Sequence, residues 1–312
     1  MHMKVLGIGQ VVLDKIYILP EYPSEGAKVE PTRVEFSFGG PVTTALTLLS
    51  RLGAKCTLIT PLGKDKFAAS IRKKMRKERV RLIPYFQKST KTNVVLVNTG
   101  GFSRTIIHDR VHYDPVRNIA EDFIKEADII VMDRHEPFAL QEVIQKKRRS
   151  TPIIFDPSTE VSETILSTFH HLEHLIIPIE SVKQLSEGSN IKKGIQKLYS
   201  SYQKPVIITA GVSGSIIYDQ GKFNLHPAYD IKAVDPLGAG DIFRGGFAWG
   251  LLNNWNLSHC VEFANLVAGL QCTRFGNGSA IPTKNEIADF SKSAVQKNIN
   301  LESVLNANLE SL

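Results

Sequence analysis

Between Val234 and Gly246 the chain reads VDPLGAGDIFRGG, and the types and spacing of these residues suit phosphoryl chemistry. Gly238, Ala239 and Gly240 bring small side chains and open backbone N–H groups to the start of a stretch in which Ile242, Phe243, Gly246, Phe247 and Gly250 share one helical face. A helix N-terminus carries unpaired N–H groups and the positive end of the dipole, so small residues there let an anion such as a phosphate come close. Asp241 follows directly. At that positive end it is expected to remain a carboxylate and to accept the proton of an attacking alcohol. The same string also fits a plain strand-to-helix turn, with glycine for tightness and Asp as the cap.

VDPLGAGD followed by IFRGGF resembles the DTxGAGD signature of the ribokinase-like (PfkB) carbohydrate kinases, and it lies at the usual place in the last third of the chain. The resemblance implies an α/β three-layer fold with a mostly parallel central sheet and a small β-sheet lid. It also implies an ATP-dependent kinase in which Asp241 is the base and Gly238, Ala239 and Gly240 form the anion loop.

The elements that must position this loop are legible upstream. Lys4 to Val12 reads as a buried strand; its Gly7-Ile8-Gly9 invites comparison with a dinucleotide fingerprint, but Val12 takes the place of the third glycine and a strand follows, which excludes that site. Asp14 then ends an apolar strand, either as a turn cap or, as in the resembling family, as the holder of sugar hydroxyls. Alternation at Val29, Val34, Phe36 and Phe38 predicts lid strands drawn from about 13–38, with a hairpin from about 92–109 joining them. Gly39-Gly40 permits close backbone approach to a ligand, Pro41 opens a helix and Gly53 closes it. The spacing from GG to RLG is that of the family, except that Thr44 stands where the family usually has a sugar-binding Asn, losing the amide's paired donor and acceptor. Arg104 sits where ketohexokinase-like members carry an Arg near the ligand, although pairing with surface acids would explain it equally.

Ile- and Val-rich runs at 127–133, 152–156, 174–178, 205–211 and 215–219 alternate with helical stretches and predict a largely parallel, doubly covered sheet. Thr209, Gly211 and Gly214 match the family's TxGxxG turn along the nucleotide. Asn265 and the glycine loop of Gly276, Gly278 and Ser279 fall where the family flanks the adenine. With Asp235 that region also builds a monovalent-cation site for an ion such as potassium, while a plain helix and turn would read the same. His170, His171 and His174 lack the acidic helper of an HExxH zinc site.

The chain has 312 residues, 42% of them hydrophobic, and fits one large α/β domain with a small appendage. Its 38 basic residues face 31 acidic ones, and the basic runs at 72–81 and 146–149 carry no aromatics to stack on bases, so neither points to nucleic acid. Cys56, Cys260 and Cys272 lack metal spacing, which suits a reducing cytoplasm. The apolar amino terminus is broken by Asp14 and Lys15 and is too short to span a bilayer.

The resemblance covers about residues 4–283. It implies Mg-ATP as donor, the primary hydroxyl of a small sugar as acceptor, and a homodimer through the lid. A nucleoside kinase of the same fold and a non-catalytic sugar-binding regulator are the alternatives. One family feature is missing: where an NxxE motif usually supports magnesium, the chain reads PIESVKQLSEG, and Glu180 stands out of register on what reads as a strand-exit turn. The magnesium site is therefore unassigned, and the ion is expected to arrive on the nucleotide.

Overall fold

Alternate residues of the Ile- and Val-rich strands enter two different apolar layers. In β8 (Ile129–Asp133), Ile129 and Val131 join one layer while Ile130 and Met132 join the other, as in a sheet covered on both faces. The computed structural model describes residues 3–100, 103–109, 113–157, 168–186 and 190–306. Its large sheet contains nine strands among the described residues. They are β1 (Lys4–Ile8), β4 (Lys55–Leu62), β5 (Arg81–Phe86), β8, β9 (Ile153–Asp156), β10 (His174–Pro178), β11 (Val206–Thr209), β12 (Gly214–Asp219) and β13 (Lys222–Pro227). The order is β13-β12-β11-β10-β9-β8-β1-β4-β5. All pairs from β11 to β5 are parallel, and β12 and β13 join by antiparallel pairing. Helices Glu121–Glu126, Pro137–Lys146, Ile179–Leu185 and Ile191–Tyr202 cover one face. Helices Pro41–Leu52, Lys66–Lys77, Ala239–Leu252 and Leu257–Cys272 cover the other.

The expected strand from Lys4 to Val12 divides in two. Gly9 donates to the Ile59 carbonyl and Val11 to the Thr60 hydroxyl, so the backbone turns out of the large sheet and starts β2 (Val12–Leu19) in a second one. Asp14 thus lies inside a lid strand and does not end the buried one. The second sheet has the order β3-β2-β6-β7, with β3 (Arg33–Gly39), β6 (Thr92–Asn98) and β7 (Ser103–His108). The hairpin expected around 93–107 is β6 paired with β7. Ile16, Ile18, Val95, Val97 and Ile106 on the inner face pack with Phe275. Val34, Phe36 and Ile107 project from the outer face with exposures of 41%, 57% and 54%; Val29 precedes β3 in a loop.

The basic runs are tied into the chain. Helix Lys66–Lys77 buries Ile71 and Met75 and ends on Glu78, which binds Lys74 and takes two hydrogen bonds from Arg51. Behind helix Pro137–Lys146, Lys147 pairs with Glu173 and Arg148 donates to the Ala127 carbonyl. Among the described residues no helix is long and apolar enough to cross a membrane.

Candidate active site

Two glycine-led helices begin side by side at the carboxyl edge of the large sheet. Gly40 caps helix Pro41–Leu52 at φ +108, and a Cβ there would stand 2.1 Å from the Gln10 carbonyl, so only glycine closes the turn against the start of β2. Gly39 ends β3 opposite Val12. Gly238, at φ +79, caps helix Ala239–Leu252. The two helices meet where Gly245 lies against the Ala45 backbone.

In the loop before that second helix, the anion loop expected from Gly238, Ala239 and Gly240 lacks the Ala239 amide. The Leu237 N–H is taken by the Asp235 carboxylate at 2.9 Å and the Ala239 N–H by the Pro236 carbonyl at 3.1 Å. The amides of Gly238, Gly240 and Asp241 make no hydrogen bond among the described residues, which leaves three donors at the positive end of a helix for an anion. Asp235 also accepts the Gly276 N–H at 3.1 Å and so ties the cradle to the glycine loop.

Asp241 is half-buried. Burial first, and then the charge of Asp156, push its carboxyl up to about 7, with Arg244 pulling the other way. The expectation that the helix end alone keeps it ionised is thereby corrected: the surrounding protein outweighs the dipole. Asp156, at the end of β9, holds Arg244 at 2.7 Å. Beside it Asp133 ends β8, buried and pushed up to about 8, chiefly by burial, although the His135 N–H bound to it pulls downward.

Asp14 belongs to a polar rung that crosses the whole lid. In register stand Ser37 of β3, Asp14 of β2, Asn93 of β6 and His108 of β7. Asn93 donates to Asp14 at 2.7 Å, and its carbonyl oxygen lies 3.2 Å from His108 Nδ1. Ser37 accepts the Gly278 N–H at 3.3 Å, which links the rung to the glycine loop. At the root of the lid Lys91 donates to Gln10 at 2.8 Å. Thr44 is buried in the first turns of helix Pro41–Leu52, and its neighbour Thr43 keeps a buried hydroxyl with no hydrogen-bond partner in the described structure. Arg104 falls opposite Val97 in β7, two rungs of this face away from Asp14; its side chain lies outside the described residues.

The nucleotide-side candidates cluster at the β11–β12 turn. Thr209 ends β11 opposite Ser215, and Gly211 and Gly214 adopt φ of +52 and +99. A Cβ at Gly214 would stand 2.3 Å from the His226 carbonyl. Asn265 has both ends of its amide engaged, accepting from the Ser215 hydroxyl and donating to the His226 carbonyl, so it holds the turn from behind. Glu180 sits in the first turn of helix Ile179–Leu185, not on a loop. Among the described residues no three His, Cys, Asp or Glu side chains form a metal-ligand set.

The family model of the pfkB family carbohydrate kinases matches residues 4–284. The chain belongs to that family. As a carbohydrate kinase it is a phosphotransferase with an alcohol acceptor. Ribokinase of Haemophilus influenzae is 22% identical over 299 residues, covering 91% of this chain and 96% of its own. Ribokinase of Thermotoga maritima superposes with a TM-score of 0.80 at 22% identity, over 93% of this chain and all of its own. Arabidopsis thaliana ribokinase, solved with ribose and ATP, gives a TM-score of 0.78 at 18% identity, over 94% of this chain and 99% of its own. These likenesses establish the ribokinase fold for this pfkB kinase.

The lid rung and the carboxylate–arginine group behind Asp241 are absent from the sequence reading. Asn93 and His108 reach Asp14 through register in the lid, while Asp133 and Asp156 meet through register in the large sheet and helix Ala239–Leu252 carries Arg244 to Asp156. The local signs are Asp133 and Asp156, each closing an apolar run, ADIIVMD and PIIFD.

Proposed function

We propose that this pfkB kinase transfers the γ-phosphate of Mg-ATP to a primary hydroxyl of a small sugar, in the crevice between the lid rung and the two helix N-termini. The observation that carries the reading is the three unpaired amides at Gly238, Gly240 and Asp241 on the same loop as an accessible carboxylate. Asp14, held by Asn93, and the Gly39-Gly40 turn grip the sugar hydroxyls, with Thr43 and Thr44 in place of an amide and Arg104 at the lid edge. The attacking oxygen bonds to the γ-phosphorus, its proton passes to Asp241, and the bond to the bridging β–γ oxygen breaks to release ADP. The three amides stabilise the charge on the transferring group. Thr209, Gly211 and Gly214 line the nucleotide, and magnesium enters on its phosphates as part of the substrate. The reading also includes a potassium-type ion near Asp235, a second copy paired through the lid, and a cytoplasmic setting.

A sugar is favoured over a nucleoside as acceptor by the ribokinase relatives. The test is ADP formation from Mg-ATP against a panel of sugars and nucleosides, with thermal shift as the binding readout. We expect turnover with a sugar bearing a primary hydroxyl. Turnover with nucleosides alone, or nucleotide binding without turnover of any acceptor, would sink the reading.

A further inference from the structure

Helix Ala239–Leu252 carries one buried cation that the transfer described above leaves unused. Arg244 is 6% exposed. Its Nη2 meets Asp156 at 2.7 Å, and its Nη1 lies under the anion loop, 3.2 Å from where a Cβ on Gly240 would stand. Its Nε is buried with no hydrogen-bond partner among the described residues. Asp241 precedes it by three residues, a spacing that makes the two side chains neighbours on one helix face. The guanidinium is therefore paired with Asp156 from β9 and stands one helical turn from Asp241 on its own helix. Asp133 of β8 stands next to Asp156 in register, and Asp235 is engaged with the Leu237 and Gly276 amides. The adjoining ends of helices Pro41–Leu52 and Leu257–Cys272 bring Thr43, Thr44 and Gln271, none of which titrates near neutrality.

A buried guanidinium stays protonated, whereas two crowded carboxylates cannot both ionise without a cation near them. We propose that Arg244, clamped on Asp156, is a positioning residue that holds Asp241 in the ionised form able to take the acceptor's proton. This rests on the reading of Asp241 as the base. It also assigns a task to Asp156, which fixes the guanidinium in place and at the same time moderates its pull, so that Asp241 can hold the proton it receives.

The two partners act with opposite sign, which ordinary packing would not produce. The test follows the isotope-labelled carboxyl carbon of Asp241 by NMR titration of the full chain, with the resonance assigned by its loss in Asp241→Asn. The wild-type midpoint is expected near 7. Arg244→Gln should raise it by about one unit or more, and Asp156→Asn should lower it by about one unit. The double variant, which removes one charge of each sign, should return toward wild type. If Arg244→Gln does not fold, Asp156→Asn and the double variant carry the test alone. An Asp156→Asn midpoint that does not fall, or a double-variant midpoint that stays with Asp156→Asn instead of rising from it, would overturn the proposal. Turnover surviving in Asp241→Asn would instead overturn the base assignment, so the two failures are distinguishable.

Discussion

At the scale of single residues, the site depends on how few groups do each task. A base that must be ionised to work and whose carboxyl is lifted to about 7 gives a rate that rises with pH through neutrality. The acid limb of kcat/KM, which reports the free enzyme, should therefore centre near 7, and a flat profile from 5 to 8 would mean that another group limits turnover. Asp14→Ala removes a charged acceptor held by Asn93. It should raise the sugar KM by about tenfold or more while leaving ADP affinity unchanged, since hydrogen bonds to charged groups contribute about 1.5–3 kcal/mol; calorimetry with each ligand separates the two. Glu180→Gln should shift the half-saturating magnesium concentration by less than about twofold, because the ion is carried by phosphates. A tenfold rise would give Glu180 the role of the missing motif. Asp241 and the Gly40 turn were legible because a tight loop demands residue types that stand out locally. Asn93 and His108 were not, since each is an ordinary strand residue until register sets it beside Asp14.

At the scale of elements, periodicity placed the lid strands, β1, β8, β9, β10, β11 and β12, and the helices led by Gly40 and Gly238, but left β4, β5 and β13 unread. It missed the break between β1 and β2, where a run apolar but for Gln10 hides a change of backbone partner at Gly9 and Val11. One joint between helices is predicted to be strongly pH-sensitive. Burial raises the Glu78 carboxyl, but hydrogen bonds from Arg51 and then Lys74 outweigh it and hold the group at about 2, against 4.5 when free. The resulting stabilisation is fully present above pH 4.5 and is lost as pH falls toward 2. Glu78→Gln should therefore cost about 2 kcal/mol at neutral pH. Denaturant titrations at pH 7 and pH 3 should show the gap between wild type and variant shrinking in acid, and a gap independent of pH would contradict this account of the joint.

At the scale of the whole molecule, the lid is the element with least core of its own, and its outer face exposes Val34, Phe36 and Ile107. Apolar faces of this kind in soluble proteins mark contact surfaces. Light scattering at micromolar concentration should report a dimer, and Phe36→Glu should shift it to monomer; a wild-type monomer would remove the lid contact. The inner face meets the glycine loop where Ser37 takes the Gly278 N–H, and the same loop gives its Gly276 N–H to Asp235, so the proposed sugar and phosphate sites lean on one loop. That architecture brings the central claim to one atom, the carboxylate of Asp241. The most direct measurement is single-turnover phosphorylation by Asp241→Asn beside calorimetric ADP binding. The account predicts unchanged ADP affinity with a rate lowered about 10²–10⁴-fold, whereas a rate within a few-fold of wild type would make Asp241 a helix cap and contradict it.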